Sequence, residues 1–81
     1  MQQIGTFAIA DGSDSGTVTG LAIPSSQTPR RVFVDVRKPA GGFNMFASVV
    51  DNTLTRDGFV FNLSGVADNA NYRLDYCLIT T

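Results

Sequence analysis

The sequence predicts an all-β protein: about six short antiparallel strands stacked as a β-sandwich of two three-stranded sheets, or a barrel-like closure of the same strands. Three observations predict it. Apolar residues cluster in period two, as in Val32, Val34 and Val36 or Phe59, Phe61 and Leu63, and that is the repeat of a strand with one buried face. Clusters of Gly, Pro, Asn, Asp and Ser punctuate the chain at a spacing of roughly 10–14 residues, the pattern of a small sandwich. The chain has 81 residues, enough for one domain and one core.

The first strand is expected from about Ile4 to Ala10, with Phe7 and Ile9 on one side. Asp11-Gly12-Ser13-Asp14-Ser15-Gly16 reads as a turn, and a second strand follows through Val18 and Leu21. Pro24 and Pro29 bracket a loop, because proline fixes φ and supplies no ladder donor. In the third strand Val32, Val34 and Val36 face one way and Phe33, Asp35 and Arg37 the other. Lys38-Pro39-Ala40-Gly41-Gly42 is a loop. The fourth strand, Phe43 to about Val50, is apolar on both sides: Phe43, Met45, Ala47 and Val49 on one, Phe46 and Val50 with Asn44 and Ser48 on the other. A strand with one solvated face alternates more cleanly, so the second face is expected to meet a partner.

Asp57-Gly58 predicts a hairpin with a type I′ turn, which needs positive φ at both central residues. The fifth strand then carries Phe59, Phe61 and Leu63 inward and Val60 and Asn62 outward. Asp68-Asn69-Ala70-Asn71 forms the next loop. The last strand places Tyr72, Leu74, Tyr76 and Leu78 on the core face and Arg73, Asp75, Cys77 and Ile79 on the other.

Composition narrows the function. A domain this small buries only about 60–70% of its unfolded surface, and such domains lean on disulfides, metals or association. Cys77 is the only cysteine and there is no histidine, which removes a disulfide and any thiolate or imidazole metal site. Association is the device left. Charged residues make up 16% of the chain, against about 25% in an average soluble protein. The place of the missing charge is taken by Ser, Thr, Asn and Gly, an exterior suited to lying against other chains.

Without histidine the usual general base is missing, Cys77 has no activating imidazole, and no glutamate accompanies the aspartates. The chain is therefore read as a non-enzyme with no cofactor. Asp11-Gly12-Ser13-Asp14-Ser15-Gly16 offers oxygen ligands for Ca²⁺ but matches neither the EF-hand nor the nonapeptide spacing. Its residues are also those of an ordinary turn. The net charge is −1 and the six basic residues are scattered apart from Arg30-Arg31 and Arg37-Lys38, which argues against nucleic acid as a partner. No apolar run approaches the ~18 residues of a membrane span. Met1-Gln2-Gln3-Ile4-Gly5 has no basic n-region, so no secretory signal is read there.

Two groups of residues are candidates for contact. Phe46, Val50, Cys77 and Ile79 are outward apolar groups and form the expected oligomer interface. Asp35, Arg37, Arg73 and Asp75 share the outer sides of the third and last strands, where they can form cross-strand ion pairs or meet sugar hydroxyls.

From Pro29 onward the pattern resembles two related groups of proteins. The residues that carry it are Pro29-Arg30-Arg31-Val32-Phe33-Val34, the stretch Thr55-Arg56-Asp57-Gly58-Phe59-Val60-Phe61, and Tyr72-Arg73-Leu74-Asp75-Tyr76. One group is the small β-sandwich modules of tailed-phage virions, capsid decoration proteins and fibre tips, many of them trimeric. The other is the H-type lectin domain, a six-stranded sandwich that forms trimers or hexamers and binds N-acetylgalactosamine-like sugars. The chain departs from the lectin pattern in Lys38-Pro39-Ala40-Gly41-Gly42, where the lectins carry an Asp. The virion resemblance implies a homo-oligomer, with a trimer favoured, that contacts other virion proteins and is made in host cytoplasm. The lectin resemblance implies a glycan ligand; the lectins' own sugar-binding residues do not carry over, and the candidate contacts are the outer-face residues Asp35, Arg37, Arg73 and Asp75.

Overall fold

A computed structural model describes residues 2–81. Six strands form: β1 (Gln2–Ala8), β2 (Ser15–Val18), β3 (Pro29–Arg37), β4 (Ala47–Val49), β5 (Phe59–Leu63) and β6 (Arg73–Thr80). They assemble into two three-stranded antiparallel sheets, ordered β1-β6-β3 and β2-β5-β4. The sheets stay separate, so the architecture is a sandwich and not a barrel.

The alternation in β6 sets the layers. Leu74 and Leu78 are fully buried, as is Tyr72 just before the strand, while Arg73, Asp75, Cys77 and Ile79 take the other face. Phe59 and Phe61 of β5 supply the facing layer, also fully buried. Phe7 meets Phe61 edge-on at 5.5 Å between ring centres, and Phe59 meets Tyr76 at 5.6 Å in the same geometry. These T-shaped pairs join the sheets, each adding about 0.5–1.5 kcal/mol beyond the area buried. Loop residues Leu21, Ile23, Met45 and Ala67 close the ends of the core.

Three expectations are corrected. The second strand stops at Val18; Gly20 and Ala22 take positive φ (75° and 55°), and Leu21 and Ile23 reach the core from irregular chain. There they donate backbone hydrogen bonds to Asp57 and Arg56 carbonyls. The fourth strand is three residues, not eight, since Asn44 and Met45 lie outside the ladder. Phe46, beside its start, exchanges hydrogen bonds with Ser64: its N–H donates to Ser64 Oγ, and its carbonyl accepts from Ser64 N–H.

The Asp57-Gly58 corner is not a type I′ turn, because neither residue has positive φ. Thr55 builds it instead. Its N–H donates to the Gly58 carbonyl at 2.8 Å, and its hydroxyl accepts from the N–H groups of Asp57 and Gly58. Glycine is needed at 58 for another reason: a Cβ there would overlap the carbonyl of Val18 in β2.

Asp11-Gly12 does form a turn. Gly12 has φ 82°, its N–H donates to Ala67 and Ala67 N–H returns a bond to Ser13. The loop is thereby laced to the 64–72 segment.

Candidate functional site

The outer face of the β1-β6-β3 sheet carries the candidate site, and strand register composes it. The pairs Gln2–Ile79, Ile4–Cys77, Thr6–Asp75 and Ala8–Arg73 run across β1 and β6. Arg31–Ile79, Phe33–Cys77, Asp35–Asp75 and Arg37–Arg73 run across β3 and β6. Side chains on one face repeat every second residue, so four rows lie side by side. Gln2, Ile79 and Arg31 form the first, and Ile4, Cys77 and Phe33 an apolar second. Thr6, Asp75 and Asp35 form an acidic third, and Ala8, Arg73 and Arg37 a basic fourth.

The apolar row is open. Ile4 is 76% exposed and Phe33 52% exposed, while Cys77, small and half-buried, lies between them. Gln2 donates its amide N–H to Cys77 Sγ at 3.0 Å. Ile4 and Phe33 wall a depression of about 330 Å³ with Cys77 on its floor and Asp35 and Asp75 at its margin.

Two carboxylates directly opposite repel, and the face resolves only one of them. Asp75 is held by Arg37, Nε at 3.2 Å to Oδ2 and Nη2 at 3.2 Å to Oδ1, and accepts from the Thr6 hydroxyl at 2.9 Å. This is the one ion pair among the described residues, and both side chains are well exposed. Among the described residues Asp35 takes no hydrogen bond or ion pair there, nor does Arg31. Arg73 does not serve the face: its Nη1 donates to the carbonyls of Ala70 and Tyr72, fastening the loop that leads into β6.

The candidate sugar set is thus brought together at the level of the strands, but only Asp35, Arg37 and Asp75 offer their head groups outward. The candidate interface set divides. Cys77 and Ile79 lie on this face. Phe46, 74% exposed, lies beside the edge of β3 over a groove shared with Asp35, Val36 and Lys38. Val50 is half-buried at the opposite end of β4, its N–H bonded to the Val60 carbonyl. The shortened β4 explains the split, since Phe46 and Val50 flank the strand and do not share a face within it.

Ile4 and Arg31, with Gln2 and Thr6, are among the face residues that the sequence alone did not single out. Phe33 was placed outward but not weighed as a contact. The signal for Ile4 was its apolar side chain opposite Phe7 in period two; its neighbours come from β6, more than seventy positions away, and no local pattern reveals them.

The two tyrosines belong to the core. Tyr72 is fully buried, its ring 5.5 Å from that of Phe43, and its hydroxyl accepts from Phe43 N–H at 3.2 Å. Burial pushes its ionisation above the ordinary value of 10.0, the Phe43 hydrogen bond works against that, and the nearby Asp68 carboxylate adds to it. Among the described residues no three His, Cys, Asp or Glu side chains gather as metal ligands, and no helix is long and apolar enough to cross a membrane.

Comparison with protein-family models, with curated proteins and with solved structures returns no match.

Proposed function

We propose that the chain is a non-enzymatic structural module of a phage-like virion, a capsid decoration or fibre component, that works by associating with copies of itself and with neighbouring virion proteins. One observation carries this reading. A sheet face with Ile4, Phe33 and Ile79 exposed in two adjacent rows is a surface that gains by being covered, at roughly 25 cal/mol for each Å² of apolar area removed from water. Sparse charge and a hydroxyl-rich exterior support it, as does the resemblance of residues 29–76 to small virion sandwiches. Made in host cytoplasm, such a module would need neither disulfides nor a metal to be held in a particle, because the lattice around it supplies the missing burial.

A carbohydrate-binding role is the second reading, and the free Asp35 carboxylate beside an aromatic-walled depression favours it. Phe33 offers an apolar ring for a sugar face, and Asp35 offers an acceptor for its hydroxyls.

The deciding experiment measures the mass of the purified, untagged chain in solution by light scattering and applies the same sample to a glycan array. A defined oligomer with a silent array supports the structural role. Saturable binding to one sugar family, lost in Asp35→Asn and in Asp75→Ala, transfers the face to carbohydrate recognition. A monomer at all concentrations that binds no glycan overturns both.

A further inference from the structure

We infer that the outer face of the β1-β6-β3 sheet receives the same face of a second copy, packed about a two-fold axis that runs across the strands through the Ile4–Cys77–Phe33 row. This rests on the reading that the chain self-associates, and it names the contact.

The argument is one of charge and register. A two-fold axis lying across the strands sets each strand over its own counterpart with direction reversed. The row on the axis meets itself, so apolar groups meet apolar groups. The row on one side of it meets the row on the other. Arg31 in the first row therefore lies over Asp35 of the second copy, and by symmetry Asp35 lies over Arg31 of that copy. These are the two charged side chains of the face without a partner among the described residues. Gln2 lies over Thr6 of the second copy in the same way, amide over hydroxyl. Asp75 meets Ile79 of the second copy, with its charge already held by Arg37 and Thr6.

Other placements are worse. An axis along the strands sets Arg73 over Arg73 and Asp75 over Asp75 of the second copy, against like-charge repulsion. An axis between the apolar and acidic rows covers Asp35 with Phe33 and sets Arg31 over Arg37 of the second copy, like charge on like. Symmetric self-contacts of this isologous kind are the commonest form of soluble oligomer.

The size is sufficient for a modest contact. Three strands about 4.8 Å apart and eight residues long at about 3.3 Å each give roughly 400 Å² in projection. Two copies then bury on the order of 1,000 Å² once side-chain relief is counted, at the lower limit for a specific interface. The depression over Cys77, about 330 Å³, gives the exposed Phe33 ring of each copy room to turn inward as the faces meet.

The test is sedimentation equilibrium on the intact chain and on Arg31→Asp, Asp35→Arg and the double variant, with circular dichroism to confirm that each is folded. The native chain is expected to pass from 8.7 kDa to twice that mass as concentration rises. Each single reversal sets like charges against each other at two symmetric places and is expected to weaken association about tenfold or more. The double variant restores opposite charges with their order exchanged, and it should associate within about threefold of the native chain. A trimer, or an oligomer indifferent to the reversals, overturns this face-to-face contact while self-association stands. A native chain that is monomeric throughout overturns both.

Discussion

Gly58→Ala tests how the two halves of the second sheet are held together. A Cβ at this position would sit 2.7 Å from the Val18 carbonyl carbon and 3.1 Å from Thr19 Cα, with the Val18 oxygen closer still. Carbon atoms in contact prefer about 3.5–4.0 Å, so the corner must withdraw by roughly 1 Å or more. Backbone cannot turn aside as a side chain can. The withdrawal pulls on the bond from Leu21 N–H to Asp57 O at 2.9 Å and on the Thr55–Gly58 bond at 2.8 Å. Losing both costs about 1–3 kcal/mol, and overpacking adds about 1–3 kcal/mol more. A domain of this length is stable by roughly 4–12 kcal/mol in all, so the variant should lose a large share of its stability. Gly12→Ala is the control: its φ is 82° but nothing lies within 4 Å of the added carbon, and left-handed strain alone should cost about 1 kcal/mol. Urea unfolding followed by tyrosine fluorescence measures both. If Gly58→Ala falls within 0.5 kcal/mol of the native chain, or costs less than Gly12→Ala, the close approach is not what demands glycine there.

Thr53→Val should destabilise by about 1–3 kcal/mol, with Thr53→Ser recovering most of it, because the hydroxyl donates to Val50 O at 2.7 Å and accepts from Val60 N at 3.1 Å; urea midpoints of the two variants decide it. The Tyr72 pKa is raised in the folded state, so its contribution to stability is complete below pH 10.0 and is lost as pH climbs from there through the folded value. Thermal unfolding between pH 8 and 11.5 should show this alkaline decline in the native chain and a shallower one in Tyr72→Phe, which also loses about 1 kcal/mol at neutral pH with the hydroxyl that Phe43 N–H bonds. Arg37→Ala should cost no more than about 0.5 kcal/mol, since the Arg37 and Asp75 side chains are 62% and 42% exposed; a loss above 1.5 kcal/mol by the same urea assay would mean the pair holds the sheet.

What the sequence could tell divides along physical lines. The face assignments of β3, β5 and β6 were legible because each strand buries one side, and burying one side writes period two into the chain. Val32, Val34 and Val36 against Phe33, Asp35 and Arg37 is one such case. The length of β4 was not legible. Phe43, Met45 and Phe46 look like strand residues, but Met45 reaches the core from irregular chain, and Phe43, partly exposed, leans on the Tyr72 ring. Apolarity records burial and not the ladder. Gly58 misled in the same manner, since a glycine kept for lack of space has the same letter as one kept for positive φ. The candidate face was half-readable: its β3 and β6 members follow from alternation, whereas Ile4 joins them only through the pairing of the first strand with the last.

That pairing has a bearing on how the molecule is made. Among the described residues β6 is the sole neighbour of β1 and the sole ladder partner of β3, and it comprises residues 73–80. Gln2 must wait for Ile79. During synthesis the first sheet therefore cannot begin to assemble until residues 73–80 have left the ribosome, and the nascent β1 and β3 travel with open edges. Contacts so distant along the chain close slowly. A cell producing this protein in quantity carries a standing population of chains whose Ile4 and Phe33 strands are unpaired, and high-level expression should tax chaperones more than the small size of the domain would suggest.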